Sequence, residues 1–357
     1  MENEIIYPPL ALKFYNDAYQ IGKRIAELFL SYRERIRELR HELEDKIKRV
    51  DDVDETYSCI AIDSSYTTSL ISLVSVALGA VAYGYYKFPQ DEKEISGEVF
   101  EYKGAGESIH HNLSHYARSK ERVVAINYLL KHNDIDGVVF DGDFPPFPIP
   151  FKLVNHINVG FSKIRFREEV ARLYSLINER RVWCLGVVKR IRFPILSTLF
   201  NMDVEEKIIA SLLLEPNEYI ILGEYGKIVP EVFSRNSRFS LAEWERISRE
   251  MPEVSKTKVI YFKPSRSRSQ MAIKLLYYGE EPIEKIVGFL NKYTNWTGYP
   301  IFLDIIDRLV SVDLKTYKNI IWESFVKGLG DKLVVRTEKG KVHLYLPEDL
   351  QKYRSIM

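Results

Sequence analysis

The chain has 357 residues, 46% of them apolar and 28% charged, and its formal net charge is +1. That balance excludes a disordered polyelectrolyte and supplies enough apolar side chains for a sizeable core. It also excludes an overall basic surface, so any contact with nucleic acid must come from local patches. The two cysteines, Cys59 and Cys184, sit in separate apolar runs without a Cys or His at metal-ligand spacing. They read as small core residues in a reducing, cytoplasmic setting, not as a disulfide or zinc framework. The opening MENEIIYPPLALKF lacks the layout of a signal peptide. The longest apolar stretch, Ser69 to Val81, is too short and too interrupted to span a membrane, so no membrane association is expected. Abundant Lys, Glu, Arg, Ile and Tyr is a thermophile-like balance.

From about Leu12 to Lys48, apolar residues recur every three or four positions, through Ile21, Ile25, Leu28, Tyr32, Ile36, Leu39 and Leu43. This predicts one long helix, or two joined ones, as an extension ahead of the core. Strand-like runs follow at Thr56–Asp63, Ser69–Phe88 and Glu94–Tyr102, then a helix over Ser114–Lys131 and a buried strand at Asp136–Phe144. The PPFPIP stretch, Pro145 to Pro150, must interrupt any regular element. Beyond it the pattern predicts a helix at Lys163–Asn178, a strand at Val182–Lys189 and two short helices before Leu213. Strands at Tyr219–Gly226, Lys258–Pro264 and Met271–Gly279 come next, then helices within 282–293, 301–310 and 314–328. This order defines a mixed α/β core with flanking helices.

The candidate chemistry lies in acids at the ends of apolar runs. Asp63 closes the first strand-like run, and Asp141 and Asp143 close GVVFDGDF. One such acid reads as a turn cap. Two delivered alike point to a metal centre, because converging carboxylates repel unless a cation bridges them. Hard oxygen donors suit Mn²⁺ or Mg²⁺. Glu121, near the start of the predicted helix before Asp141, is the third candidate, although the helix dipole alone would favour an acid there. Lys189 and Arg190 end another buried strand and could bind a scissile phosphate; the plainer reading is a solvated rim. Lys256, Lys258, Lys263, Arg266, Arg268 and Lys274 form a basic run with no acid between them, including a PSRSRSQ hairpin loop, which suits phosphate-backbone contact. His110, His111 and His115 fall in a polar stretch expected to be a surface loop.

These motifs, taken in order, resemble the archaeal NurA nuclease family: Ala61-Ile62-Asp63, the helix from Glu121 to Ala125, Asp141-Gly142, Lys189-Arg190 and Gly298-Tyr299-Pro300. The resemblance spans roughly Thr56 to Lys315. It implies an RNase H-like core over 56–330, with the helical extension at 1–55 and a tail at 331–357 packing on the core. It further implies Mn²⁺-dependent 5′-to-3′ exonuclease and single-strand endonuclease activity, with Mg²⁺ as the alternative ion. A homodimer acting with a HerA-type hexameric translocase in DNA end resection belongs to the same implication. By position, Asp63, Glu121 and Asp141 match the acidic ligands, Lys189 the basic residue and Tyr299 the C-terminal aromatic. Two-metal hydrolysis would follow, with Asp307 as an added ligand, Lys189 on the scissile phosphate and Tyr299 stacking on a base or positioning the strand. The plainer reading of Tyr299 is a packed aromatic before a helix-starting proline. Lys189, Arg190, Lys263, Arg266 and Arg268 would contact DNA.

Three positions depart from the family pattern. Ser64-Ser65 stand where Gly-Ser is common, Asp143-Phe144 where Ser-Leu is usual, and Asp307 where many members have His. Aspartate binds Mn²⁺ but cannot act as a neutral imidazole acid. The competing readings are therefore a catalytically weak NurA-like subunit that binds DNA or the translocase, and an unrelated α/β protein whose acids cap strands.

Overall fold

The computed structural model describes residues 8–50, 53–73, 76–103, 107–144, 158–159, 162–163, 166–189, 193–235, 241–266 and 271–311, with short stretches between 320 and 344. The chain opens with helix α1, Pro8–Glu42, whose Ile36 and Leu39 are buried as the spacing predicts. Leu43, one residue beyond α1, is buried too. The helix ends before Lys48. Ile47–Arg49 form a strand, β1, because pairing with another strand's free edge overrides a local helical preference.

Three long strands follow: β2 (Cys59–Leu73), β3 (Val76–Phe88) and β4 (Glu92–Lys103). β2 continues ten residues past the expected end at Asp63, as Tyr66, Thr67 and Thr68 favour extended backbone over a turn. Helix α2, Glu107–Lys131, begins earlier than expected. His110, His111 and His115 are therefore helical and not in a loop, and His115 is buried.

Strand β5 (Gly137–Asp141), helix α3 (Phe166–Arg180) and strand β6 (Trp183–Val188) match the predicted order. Then come α4 (Glu206–Leu213), β7 (Glu218–Glu224), α5 (Tyr225–Arg235), α6 (Leu241–Glu250), β8 (Lys258–Lys263) and β9 (Ile273–Tyr278). Helices α7 (Ile283–Lys292) and α8 (Ile301–Val310) follow. The proline-rich 145–150 segment and most of the helix expected at 314–328 lie outside the described residues. Among the described residues, no helix is long and apolar enough to cross a membrane.

Two compact units divide the chain. The first takes Met1–Cys59, Asp134–Ile149 and Ile177–Asp304. Its strands run β1-β7-β8-β9-β6-β5. β5 and β6 are parallel, from Gly137 opposite Trp183 to Asp141 opposite Val187, and the other pairs are antiparallel. Val138, Val139, Phe140, Cys184, Leu185 and Val187 are all buried, as near-continuous apolar runs require when both faces of a strand are covered. The second unit takes Ile60–Asn133, Pro150–Leu176 and Ile305–Met357. Its strands run β2-β3-β4, and α2 packs on β3 through an edge contact between Tyr128 and Tyr85, centroids 5.0 Å apart.

Candidate active site

Each unit carries part of the predicted acidic set. In the second unit Asp63 lies in mid-strand on β2, 7% exposed, and accepts the Ser64 N–H at 2.7 Å. A carboxylate oxygen of Asp63 and one of the exposed Asp307, on α8, lie within 4.8 Å of each other. Such an approach is repulsive between two ionised groups and is relieved by a cation or a shared proton. Both donors are hard oxygens, the type that Mn²⁺ and Mg²⁺ take.

Glu121 sits well inside α2, so the helix dipole invoked from its expected position near the helix start does not account for it. Its side chain is buried, accepting from the Ser64 hydroxyl at 2.5 Å and from Arg122 Nη1 at 2.8 Å. Arg122 is itself 1% exposed and also donates to the Arg118 carbonyl at 2.6 Å. Burial pushes the guanidinium pKa down, while the charge of Glu121 opposes that change. The hydroxyl of the serine after Asp63 thus ties β2 to the acid on α2. The sequence names Glu121 but not Arg122, whose only signal is its place beside that acid.

In the first unit, Asp141 ends β5 as predicted and Lys189 follows the last residue of β6. The parallel pairing of these strands brings the two side chains together, with Lys189 Nζ 2.5 Å from Asp141 Oδ2. After Asp141 the backbone turns through Gly142 at φ 137°, a conformation that side-chain-bearing residues rarely adopt. Opposite, Gly186 on β6 keeps the turn close: a Cβ there would fall 2.5 Å from the Phe144 nitrogen and 2.6 Å from the Gly142 carbonyl oxygen.

Tyr299 lies under the same lysine, with Lys189 Nζ 4.7 Å from its ring centroid, a cation–π distance. Its loop is pinned by Asn295, whose N–H donates to the Tyr299 carbonyl at 2.7 Å and whose Oδ1 accepts the Tyr299 N–H at 3.2 Å. The phenol oxygen is buried and has no hydrogen-bond partner among the described residues. Burial pushes the phenol pKa up, and the charges of Asp141 and Asp304 add to the effect.

The basic run does not form the surface strip that the sequence suggests. Lys263 is 6% exposed and donates to the Ser211 and Leu214 carbonyls at 2.8 and 2.9 Å. Burial lowers its pKa. Lys263 is thus spent on the C-terminal end of α4, a helix-end role that attracts cations, and cannot meet DNA. Lys274 is buried as well, 3.7 Å from Glu206. Arg266 is exposed and reaches the Lys292 carbonyl at 3.3 Å. Arg190 and Arg268 lie outside the described residues.

The sequence matches no protein-family model and no curated protein. The structure does match solved ones, and the class it defines is a mixed α/β fold of a mixed central sheet with flanking helices. More narrowly, the fold is that of NurA. The chain aligns with the NurA nuclease from Sulfolobus solfataricus at TM-score 0.57 and 16% identity, covering 90% of this chain and 97% of that one. It aligns with NurA solved with manganese at TM-score 0.58 and 11% identity, over 88% and 99% of the two chains. With NurA bound to dAMP and manganese the TM-score is 0.51 and the identity 9%, over 83% and 94%. At these identities the likeness establishes the fold.

Proposed function

We propose that the chain is a divalent-metal-dependent deoxyribonuclease. Its nuclease domain would span 56–330, with 1–55 as extension and 331–357 as tail. The observation that carries this reading is the approach of the Asp63 and Asp307 carboxylates, one of them buried, in a chain with the fold of nucleases that bind manganese. Asp63, Asp141, Asp307 and Glu121 would hold the ion. Four carboxylates are an all-oxygen donor set, which suits Mn²⁺ and, second, Mg²⁺. A bound divalent ion supplies Lewis-acid stabilisation and an acidified water.

This chain's own groups do the rest. The Lys189 ammonium, held over the Tyr299 ring, contacts the scissile phosphate and offsets its charge. Tyr299 orients that ammonium and offers a face to a base. Arg266, with Arg190 and Arg268, contacts the strand; Lys263 is not among them. The finer proposal is 5′-to-3′ exonuclease and single-strand endonuclease action in DNA end resection, recombination and repair. It would be carried out in the cytoplasm by a homodimer beside a HerA-type translocase.

A second reading is favoured by the bonds that occupy Glu121. If Ser64 and Arg122 keep both oxygens, the chain is a weak-cutting subunit that binds DNA or the translocase. One assay separates the two: end-labelled single- and double-stranded DNA, with Mn²⁺, Mg²⁺ or EDTA, for wild type and Asp63→Ala. The nuclease reading expects Mn²⁺-dependent cutting that Asp63→Ala abolishes while DNA binding persists. No cutting with any metal, or cutting indifferent to Asp63→Ala, overturns it.

A further inference from the structure

Away from these acids, the first unit has a pocket of about 430 Å³ where the end of α1 meets β1 and β7. Its polar lining is Arg37, Arg40, His41, Glu44, Arg49 and Glu218. Of the two carboxylates, Glu218 is already matched. Glu218 accepts both Arg40 nitrogens, at 2.8 and 3.0 Å, and the Glu215 N–H at 2.7 Å. Arg40 is anchored further by the Leu213 carbonyl at 2.5 Å. Glu44 lies on the exposed rim, 3.3 Å from His41 Nδ1. The Arg37 and Arg49 side chains are exposed, and neither makes a hydrogen bond or close ion pair with a described residue, although the Arg49 charge acts on Glu218 at longer range.

We infer that this pocket binds a phosphate group carried by a nucleotide-sized ligand. Planar guanidinium forks match phosphate oxygens in pairs and are desolvated more easily than ammonium groups. Two such forks stand exposed above the Arg40–Glu218 pair, whose charges cancel. The volume lies within the usual range for small-ligand sites, roughly 300–1,000 Å³, and exceeds the need of a lone phosphate. Half-buried Ile47 supplies an apolar wall for the rest of the ligand. Two sources carry this chemistry: a free mononucleotide, or one nucleotide of a strand.

The test uses the full-length protein in EDTA, which separates it from any outcome for the nuclease reading. Calorimetry and fluorescence anisotropy would follow inorganic phosphate, a nucleoside 5′-monophosphate and a 5′-labelled 12-residue single-stranded oligonucleotide. The variants are Arg37→Ala/Arg49→Ala and, as control, Arg35→Ala, whose guanidinium pairs with Glu38 at 2.8 Å outside the pocket. Both arginines are exposed, so an unchanged melting temperature is expected and verifies the fold. For a free ligand, the double variant loses about tenfold or more in mononucleotide affinity. For a strand, oligonucleotide affinity falls and the slope of log K against log salt shrinks by about 1–2. Arg35→Ala leaves both unchanged. Equal affinities of wild type and double variant for all three probes, or no measurable binding of any probe by wild type, overturns the inference.

Discussion

Replacing Glu206 by Gln should remove a pH dependence of stability that the natural chain carries. Glu206, on α4, is 2% exposed and faces Lys274 at 3.7 Å, the Tyr261 hydroxyl and the Ile195 N–H. Burial drives its pKa up from 4.5 to about 7, outweighing the lowering by Lys274 and by the backbone donors. Between those two values the folded chain holds a proton that the unfolded chain has released. Stability therefore falls as pH rises through this window, with the full contribution present below the unfolded pKa. At 1.36 kcal/mol per tenfold, the raised pKa corresponds to about 3 kcal/mol.

Glutamine is neutral throughout and has no such slope. Urea unfolding of both proteins at a series of pH values from 4.5 to 8 isolates the effect, because titrating groups not coupled to Glu206 cancel in the difference. The stability of wild type relative to Glu206→Gln should fall by about 3 kcal/mol across the series. A constant difference, or one that grows in favour of wild type, would mean that the Lys274 ion pair outweighs burial, and the reasoning would fail.

Two other substitutions probe the candidate site directly. Gly186→Ala drives a Cβ into the backbone of the turn after Asp141, so it should cost about 1–3 kcal/mol and reduce cleavage, readable by thermal melting and the nuclease assay. Wild-type cleavage in that variant would show that the turn yields without moving Asp141. Tyr299→Phe deletes a buried hydroxyl that lacks a partner among the described residues, so its stability should match or exceed wild type by up to about 1 kcal/mol. Cleavage should survive in Tyr299→Phe and fall in Tyr299→Leu, since the ring beneath Lys189 is the working part; a fall with Phe would give the role to the hydroxyl.

The alternation and buried-run patterns make the order of strands and helices legible, because each element's periodicity is set locally by which face it buries. Boundaries are less legible where tertiary pairing decides. Ile47–Arg49 carry no strong strand signal and extend only because β7 offers them an edge. Asp63 resembles a strand end because a carboxylate interrupts an apolar run, yet the pleat tolerates a polar residue wherever one face meets a site. Asp141 and Lys189 are legible together because parallel neighbours place the ends of their apolar runs side by side.

Charge is the least legible property, for a physical reason. Lys263 and Arg266 are three residues apart in one basic run, but β8 turns the first inward onto the carbonyls ending α4 and the hairpin leaves the second in water. Arg37, Arg40 and Arg49 attract no notice in a charged helix and the segment after it, where a solvated face is the ordinary explanation. Their meaning depends on Glu218, far along the chain, which consumes Arg40 and leaves the other two exposed. A cation that the fold leaves without an internal partner inside a concave surface is free to recognise a ligand. A linear sequence records the charges but not which of them the fold has already neutralised.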